Sequence, residues 1–315
     1  MSDLNAPHLT DDDKAREYLE AIRWPQGPVC PHCGSCDGAY RLEGEAHRKG
    51  LLKCKDCREQ FSVTVGSVFE RSKIPLSKWM LATHLLTSSK KGISSHQLHR
   101  MLGVTYKTAW FMTHRIRLAM SPAADAGPIG GAGKTVEADE TVMSKSRKTR
   151  QDNKPLHAKP DVKVMTLVER GGALRSVFLD ERGVRGALVE HLHDASRLVT
   201  DGSMAYVGQS DKHESVDHSK YEWARGDVHT NTLEGFFSIL KRGMVGTYQH
   251  CDKKHFHRYL AEFDFRFNNR TKLGVSDAQR ARNALRGIEG KRLTYRSPDE
   301  ARTQTTTIGD FTHEV

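Results

Sequence analysis

The sequence predicts a mixed α/β protein in which a small metal-binding module and a helical stretch precede a larger α/β domain. Three observations carry this. Two close cysteine pairs lie near the amino terminus, apolar residues recur at helical spacing from Leu76 to Met120, and beyond Gly133 short β-branched runs give way to two helical segments. A chain of 315 residues suits roughly two domains with a small module attached.

Charge narrows the class of partner. With 49 Lys+Arg against 39 Asp+Glu the net charge is +10, which favours an anionic partner such as nucleic acid, although a membrane surface would select the same sign. No stretch reaches the eighteen consecutive apolar residues of a membrane span, and the acidic start (Asp3, Asp11, Asp12, Asp13) is unlike a signal peptide, so a soluble intracellular protein without membrane contact is expected. Nothing signals export, and four of the six cysteines are paired in sequence, so metal is a better reading than disulfides.

The pairs Cys30-Pro-His-Cys33 and Cys54-Lys-Asp-Cys57 are separated by twenty residues, a spacing at which two tight turns offer four thiolates to one tetrahedral zinc. Strand-like residues Phe61 to Val65 after the second pair fit a zinc ribbon made of hairpins, with the metal holding a core too small to fold alone. The alternative is four buried free cysteines. Cys36, His32 and His47 read as bystanders, and such a zinc is structural.

Ser94 to Met120 reads as two helices joined by a tight turn. Ser94 with Gln97 forms a capping box, Leu98, Met101 and Leu102 supply a buried stripe, Gly103 turns the chain, and Thr105 caps a second helix bearing Tyr106, Lys107, Thr108, His114, Arg115 and Arg117. This is the pattern of a helix-turn-helix DNA reader, with Tyr106, Lys107, Thr108 and Arg115 as candidate contacts; an ordinary helical hairpin is the alternative. The Ala-, Gly- and Pro-rich run from Ser121 to Gly133 reads as a linker. A further tract, Ser144 to Pro160, carries Lys145, Arg147, Lys148 and Arg150 among its cations and is either a solvated loop or an arm on the DNA backbone.

Beyond the linker, Thr135 to Glu140 alternates as a strand, with Val136 and Ala138 on one face and Glu137 and Asp139 presented on the other. Arg197 to Asp201 repeats the arrangement, ending on an acid before Gly202. Thr230 to Arg242 reads as a helix with Asn231, Glu234 and Lys241 on one side and Leu233, Phe236, Phe237 and Leu240 in the adjoining apolar sector. Three acids sharing a site repel one another unless cations lie between them. Oxygen donors without sulfur select Mg²⁺ or Mn²⁺, and two such ions about 3.5–4 Å apart suit in-line attack on phosphorus. The chain lacks a phosphate-binding loop of the Gly-x-x-x-x-Gly-Lys type, so no nucleotide cofactor is expected.

Over roughly residues 15 to 285 the chain resembles bacterial insertion-sequence transposases of the zinc-ribbon DDE type, the ISXO-like group. The resemblance rests on Arg23 to Gly34, Val136 to Glu140, Asp201-Gly-Ser-Met-Ala-Tyr206, His229 to Arg242 and Tyr259 to Arg270. It implies an RNase H-like catalytic domain with a mixed central sheet whose first and fourth strands carry Asp139 and Asp201, a later helix carrying Glu234, and a closing helix. Either Asn231 or Glu234 completes the site, Glu234 being the better ligand because it brings charge. Lys241, by its spacing from Glu234, is implied to contact DNA phosphate together with Arg242. The implied layout is an amino-terminal segment 1–28, a zinc ribbon 29–70, a helix-turn-helix region 71–122, a linker 123–133, a catalytic domain 134–290 and a polar tail 291–315.

The expected function is a transposase that binds terminal inverted repeats and performs metal-dependent cleavage and strand transfer. Double-stranded DNA, at element ends and target, is the expected partner. A homodimer or larger assembly on DNA and a cytoplasmic, nucleoid-associated location follow from that reaction. Two rivals remain at this stage: a hydrolytic nuclease on the same fold, and a zinc-dependent DNA-binding regulator without catalysis.

Overall fold

A computed structural model describes residues 4–294, apart from 124, 144–161, 180 and 250. The amino-terminal half opens with a short helix, α1 (Pro7–Thr10), and α2 (Asp12–Arg23). Asp11 caps α2 by accepting from the Lys14 amide at 2.8 Å, and Ala15, Leu19 and Ile22 form its buried stripe at helical spacing. A three-stranded antiparallel ribbon follows, β1 (Ala39–Arg41), β2 (Leu52–Cys54) and β3 (Gln60–Phe61), in that spatial order. The strand expected over Phe61 to Val65 stops at Phe61. Val65 instead closes a turn onto the Ser62 carbonyl, and this drives Val63 into the core at 1% exposure.

Three helices complete this half: α3 (Leu76–Ser88), α4 (Ser95–Leu102) and α5 (Tyr106–Met120). Both expected caps are present. Ser94 accepts from the Gln97 amide at 3.1 Å and Thr105 from the Thr108 amide at 3.2 Å, while Gly103, in the left-handed region at φ 61°, ends α4 as no branched residue could without strain. The ribbon and helices share one core, in which Cys30, Cys54 and Phe61 join Leu19, Trp79 and Met80.

In the second half, β4 (Thr135–Met143), β5 (Val162–Glu169), β6 (Leu174–Phe178), α6 (Gly183–His191), β7 (Arg197–Asp201) and β8 (His213–Val216) come first, followed by α7 (Asn231–Gly243), α8 (Lys253–Asn268) and α9 (Asp277–Arg286). The five strands form one mixed sheet in the order β6-β5-β4-β7-β8; β5 is antiparallel to β4 and β6, whereas β7 is parallel to both β4 and β8. Both faces are covered. Val136, Ala138, Met165, Leu167 and Leu198 pack with Ala187 and Leu188 of α6, while Val162, Val164 and Val168 pack under α7 and α8. This double cover explains the near-continuous apolar sequence of β5. Among the described residues no helix is long and apolar enough to cross a membrane.

The aromatic stripe on α8 is core, with Phe256, Tyr259 and Phe263 all buried. Its polar side seals the sheet edge. Asn268 accepts from the Leu174 amide at 2.7 Å and donates to the Leu174 carbonyl at 2.9 Å, one helical turn from Asp264, which accepts from both the amide and the hydroxyl of Ser176 at 2.7 Å. Alternate outward groups of edge strand β6 are thereby satisfied by side chains. Burial pushes the Asp264 carboxyl up to about 7.

The two halves are bolted together by buried charge. Arg117 on α5 donates to Glu262 on α8 at 2.6 Å and lies over the Tyr259 ring at 4.0 Å; Arg266 and Tyr248 donate to the same carboxylate. Burial opposes ionisation of Glu262, but Arg266 and Arg117 hold its carboxyl below the usual range. Helix α9 likewise reaches back, packing Ala284 and Leu285 into the amino-terminal core. Glu262→Gln strands two buried guanidinium groups and is expected to cost about 3–5 kcal/mol in urea unfolding. The double change Arg117→Met/Glu262→Leu, which removes charge from both halves, is expected to cost less than the single one.

Candidate active site and metal centre

Strand pairing brings the two aspartates together. β4 and β7 run parallel with Val136 opposite Leu198 and Glu137 opposite Val199; carried two residues further, this register sets Asp139 beside Asp201. Asp201 ends β7, where the Ser203 amide donates to its carboxylate at 3.2 Å. Glu234 sits in the first turn of α7, where a negative charge is favoured by the helix dipole. Asp139 feels the charge of the other two. Burial first, then Asp201, with smaller contributions from Glu140 and Glu234, pushes the Asp139 carboxyl up to about 7. The oxygens of the three carboxylates do not gather as the sulfurs below do: among the described residues the four cysteines are the only such side chains close enough together to hold one ion, and Glu234 is exposed.

Glu137, on the same face of β4 as Asp139, is a structural neighbour of the site. It is fully buried and accepts from the Thr232 amide at 3.1 Å, the Thr232 hydroxyl at 3.0 Å and Arg170 at 2.8 Å. Arg170 also donates to the main-chain carbonyls of Asp227 and His229, at 2.6 and 2.9 Å. The reason is that α7 covers this face of the sheet, and Glu137 satisfies an otherwise orphan amide at the helix start. The strand that carries Asp139 thus sets the first turn of α7, two residues before Glu234. On the opposite face Glu140 accepts from the Tyr206 hydroxyl, tying β4 to the turn after Asp201. Arg170 escaped the sequence reading because nothing local marks it.

Asn231 stands exposed at the first position of α7 and, among the described residues, makes no hydrogen bond to either aspartate. Lys241 and Arg242 are exposed in the last turn, about 10 Å along the axis from Glu234.

The second centre is compact. The four sulfurs of Cys30, Cys33, Cys54 and Cys57 lie within 4.8 Å of one another, with Cys30–Cys57 and Cys33–Cys54 both at 3.7 Å. Sulfurs about 2.3 Å from a tetrahedral zinc stand about 3.8 Å apart, so the cluster fits that ion and is far too open for a disulfide. The Cys57 and Asp56 amides hold the Cys54 thiol down to about 7, favouring the thiolate. Cys36 donates weakly to the Gly34 carbonyl and stays outside the cluster.

The candidate DNA contacts divide. Tyr106 is exposed and stacks on His96 with ring centroids 4.2 Å apart, Lys107 is exposed beside it, and Thr108 is half-buried. Arg115 is only 9% exposed, its guanidinium donating to the carbonyls of Glu70 at 3.1 Å and Leu293 at 3.2 Å. Packing of α5 against the 70–74 segment turns it away from the open surface. Lys145, Arg147, Lys148 and Arg150 lie outside the described residues.

Two regions of the chain match known protein families. Residues 130–268 match the ISXO2-like transposase domain, and residues 10–60 match the transposase zinc-ribbon domain. By these two matches the chain is similar to insertion-sequence transposases of the zinc-ribbon DDE type, the ISXO-like group. It is also similar to an uncharacterized protein in transposable element ISH50 of Halobacterium salinarum, at 29% identity over 284 residues, covering 82% of this chain and 91% of that protein.

Proposed function

We propose that the chain is an active DNA transposase with an RNase H-like catalytic domain, in which Asp139, Asp201 and Glu234 hold Mg²⁺ or Mn²⁺ for cleavage of element ends and their joining to target DNA. The observation that carries this is the in-register approach of Asp139 and Asp201 on adjacent parallel strands, with Glu234 near enough to disturb the ionisation of Asp139. The strand order β6-β5-β4-β7-β8, with acids on the first and fourth strands of this sheet, supports the RNase H-like reading. The donor set is all oxygen, which suits a hard divalent ion. Bound divalent ions would activate the attacking oxygen and stabilise the leaving one at phosphorus.

The protein's own groups do the rest. Asp139 and Asp201 supply the charge that draws the cations in, and Glu137 with Arg170 fixes the start of α7 so that Glu234 meets them. Asn231 serves as a neighbour of the site, and Lys241 and Arg242 neutralise the DNA backbone beside it. The ribbon over 29–70 and the helix pair within 71–122 hold the inverted repeats, leaving 134–290 for catalysis. Two ends must be joined in one event, so the working form is a dimer or larger assembly on DNA, associated with the nucleoid. Incubating the full chain with labelled terminal-repeat duplexes, target DNA and Mg²⁺ is expected to yield joined product. Cleavage without joining would make it a nuclease, and binding without cleavage a regulator.

A further inference from the structure

Between the ribbon and the helix pair lies a cavity of about 320 Å³. Four cations line it, Arg71 and Lys73 from the segment leaving the ribbon and Lys107 and Arg115 from α5, together with the hydroxyls of Thr105 and Thr108 at the amino end of that helix. Among the described residues no carboxylate lines it. Four positive groups facing one space repel one another, and the helix dipole adds to the same sign.

Arg115 sharpens the point. It is nine-tenths buried beneath the cavity, lies against the Phe111 ring at 4.7 Å and donates to main-chain carbonyls; among the described residues no carboxylate lies within ion-pair distance of it, and Glu70 favours its charge only from further away. Arg117, two residues on, is by contrast neutralised by Glu262 at 2.6 Å. A buried cation without a counter-ion is costly unless an anion is supplied from outside. Arg71 is exposed and only loosely paired with Glu70 at 3.7 Å, and Lys73 has no ion-pair partner among the described residues. The cavity adjoins Lys107, next to the exposed Tyr106 that begins α5.

We propose that this cavity is a phosphate site that clamps one backbone phosphate of duplex DNA at the junction of ribbon and helix pair. The proposal rests on the DNA-binding part of the function proposed above and is independent of catalysis. It assigns Arg115 a role beneath a phosphate, and adds Arg71 and Lys73 to the interface. A phosphate contact positions the protein without reading sequence, so its loss weakens all duplexes alike.

The test compares the full chain with Arg71→Gln/Lys73→Gln, and with Lys73→Gln alone, in binding a terminal-repeat duplex and an unrelated duplex across a range of salt concentrations, after thermal unfolding has confirmed that each variant is folded. The double variant is expected to lose roughly tenfold or more in affinity for both duplexes by the same factor, with the salt slope reduced by about one, the loss of one phosphate contact, and the single variant by less. An unchanged slope would overturn the proposal, as would loss on the terminal-repeat duplex alone. Inorganic phosphate is the second arm. If it stabilises the wild-type chain at sub-millimolar concentration and not the double variant, while DNA binding is equal in the two, the site serves a free anion and the DNA assignment is wrong. A wild-type chain that binds no duplex overturns the underlying reading as well.

Discussion

Asp139→Asn is expected to abolish strand transfer while making the protein free of Mg²⁺ and Mn²⁺ more stable. The activity loss follows from removing a charged ligand worth several kcal/mol of transition-state stabilisation, about 10³-fold or more in rate. The gain in stability follows from the Asp139 carboxyl, which burial and its acidic neighbours push up to about 7 in the fold, against an ordinary value of 3.8. The folded chain holds this proton where the unfolded chain releases it. Stability from the group is therefore fully present below the unfolded value, and it is lost as pH rises through the window between about 4 and 7. At pH 8 the amide removes a penalty on the order of 2 kcal/mol, raising Tm by several degrees for a chain of this size. Calorimetry of the zinc-loaded protein at pH 5 and pH 8, in buffer free of Mg²⁺, Mn²⁺ and chelator, checks it: the wild type should gain stability at the lower pH relative to the variant. Divalent metal should reverse the order at pH 8, stabilising only the wild type.

Removing the zinc is expected to damage more than the ribbon. Structural zinc sites contribute on the order of 10 kcal/mol to folding, and three strands of three, three and two residues cannot replace that. The ribbon's apolar side is also part of the helical core, where Trp24 meets Phe61 edge-on at 5.8 Å and Cys30 and Cys54 share a cluster with Leu19 and Trp79. Cys30→Ser should therefore lose bound zinc, open residues 29–70 to protease, and lower the unfolding temperature of α2 and α3 as well. End binding should fall with it. Zinc content retained at one per chain, with the ribbon still resistant to protease, would contradict the four-cysteine site.

Much of this architecture is legible in local pattern. The caps at Ser94 and Thr105, the turn at Gly103 and the apolar stripe of α8 are set by neighbours three or four residues away, so sequence spacing carries them. The cysteine cluster is legible for the same reason, since two short turns create each half of it. What spacing does not carry is pairing between distant elements. Glu137 alternates with Val136 and Ala138 as a presented residue should, yet α7, about ninety residues later, covers that face and buries it. Arg117 and Arg115 look like two similar cations on a basic helix; one is neutralised by Glu262 and the other lies under a cavity, a difference decided by α8 and by the segment around Glu70. The partnership of Asp139 with Asp201 was suggested by motif, and it is the parallel register of β4 and β7 that gives it a geometric basis.

The central claim is that these carboxylates form one cation site, and binding of Mn²⁺ by the full chain, followed by its paramagnetic resonance, tests it most directly. Mn²⁺ is expected to bind the wild type with an affinity that rises about tenfold per pH unit up to about pH 7 and then levels, as the Asp139 proton is displaced. Asp139→Asn and Asp201→Asn should each remove this binding while leaving zinc in place. Wild-type-like Mn²⁺ affinity in both variants, with no change between pH 5.5 and 7.5, would contradict it.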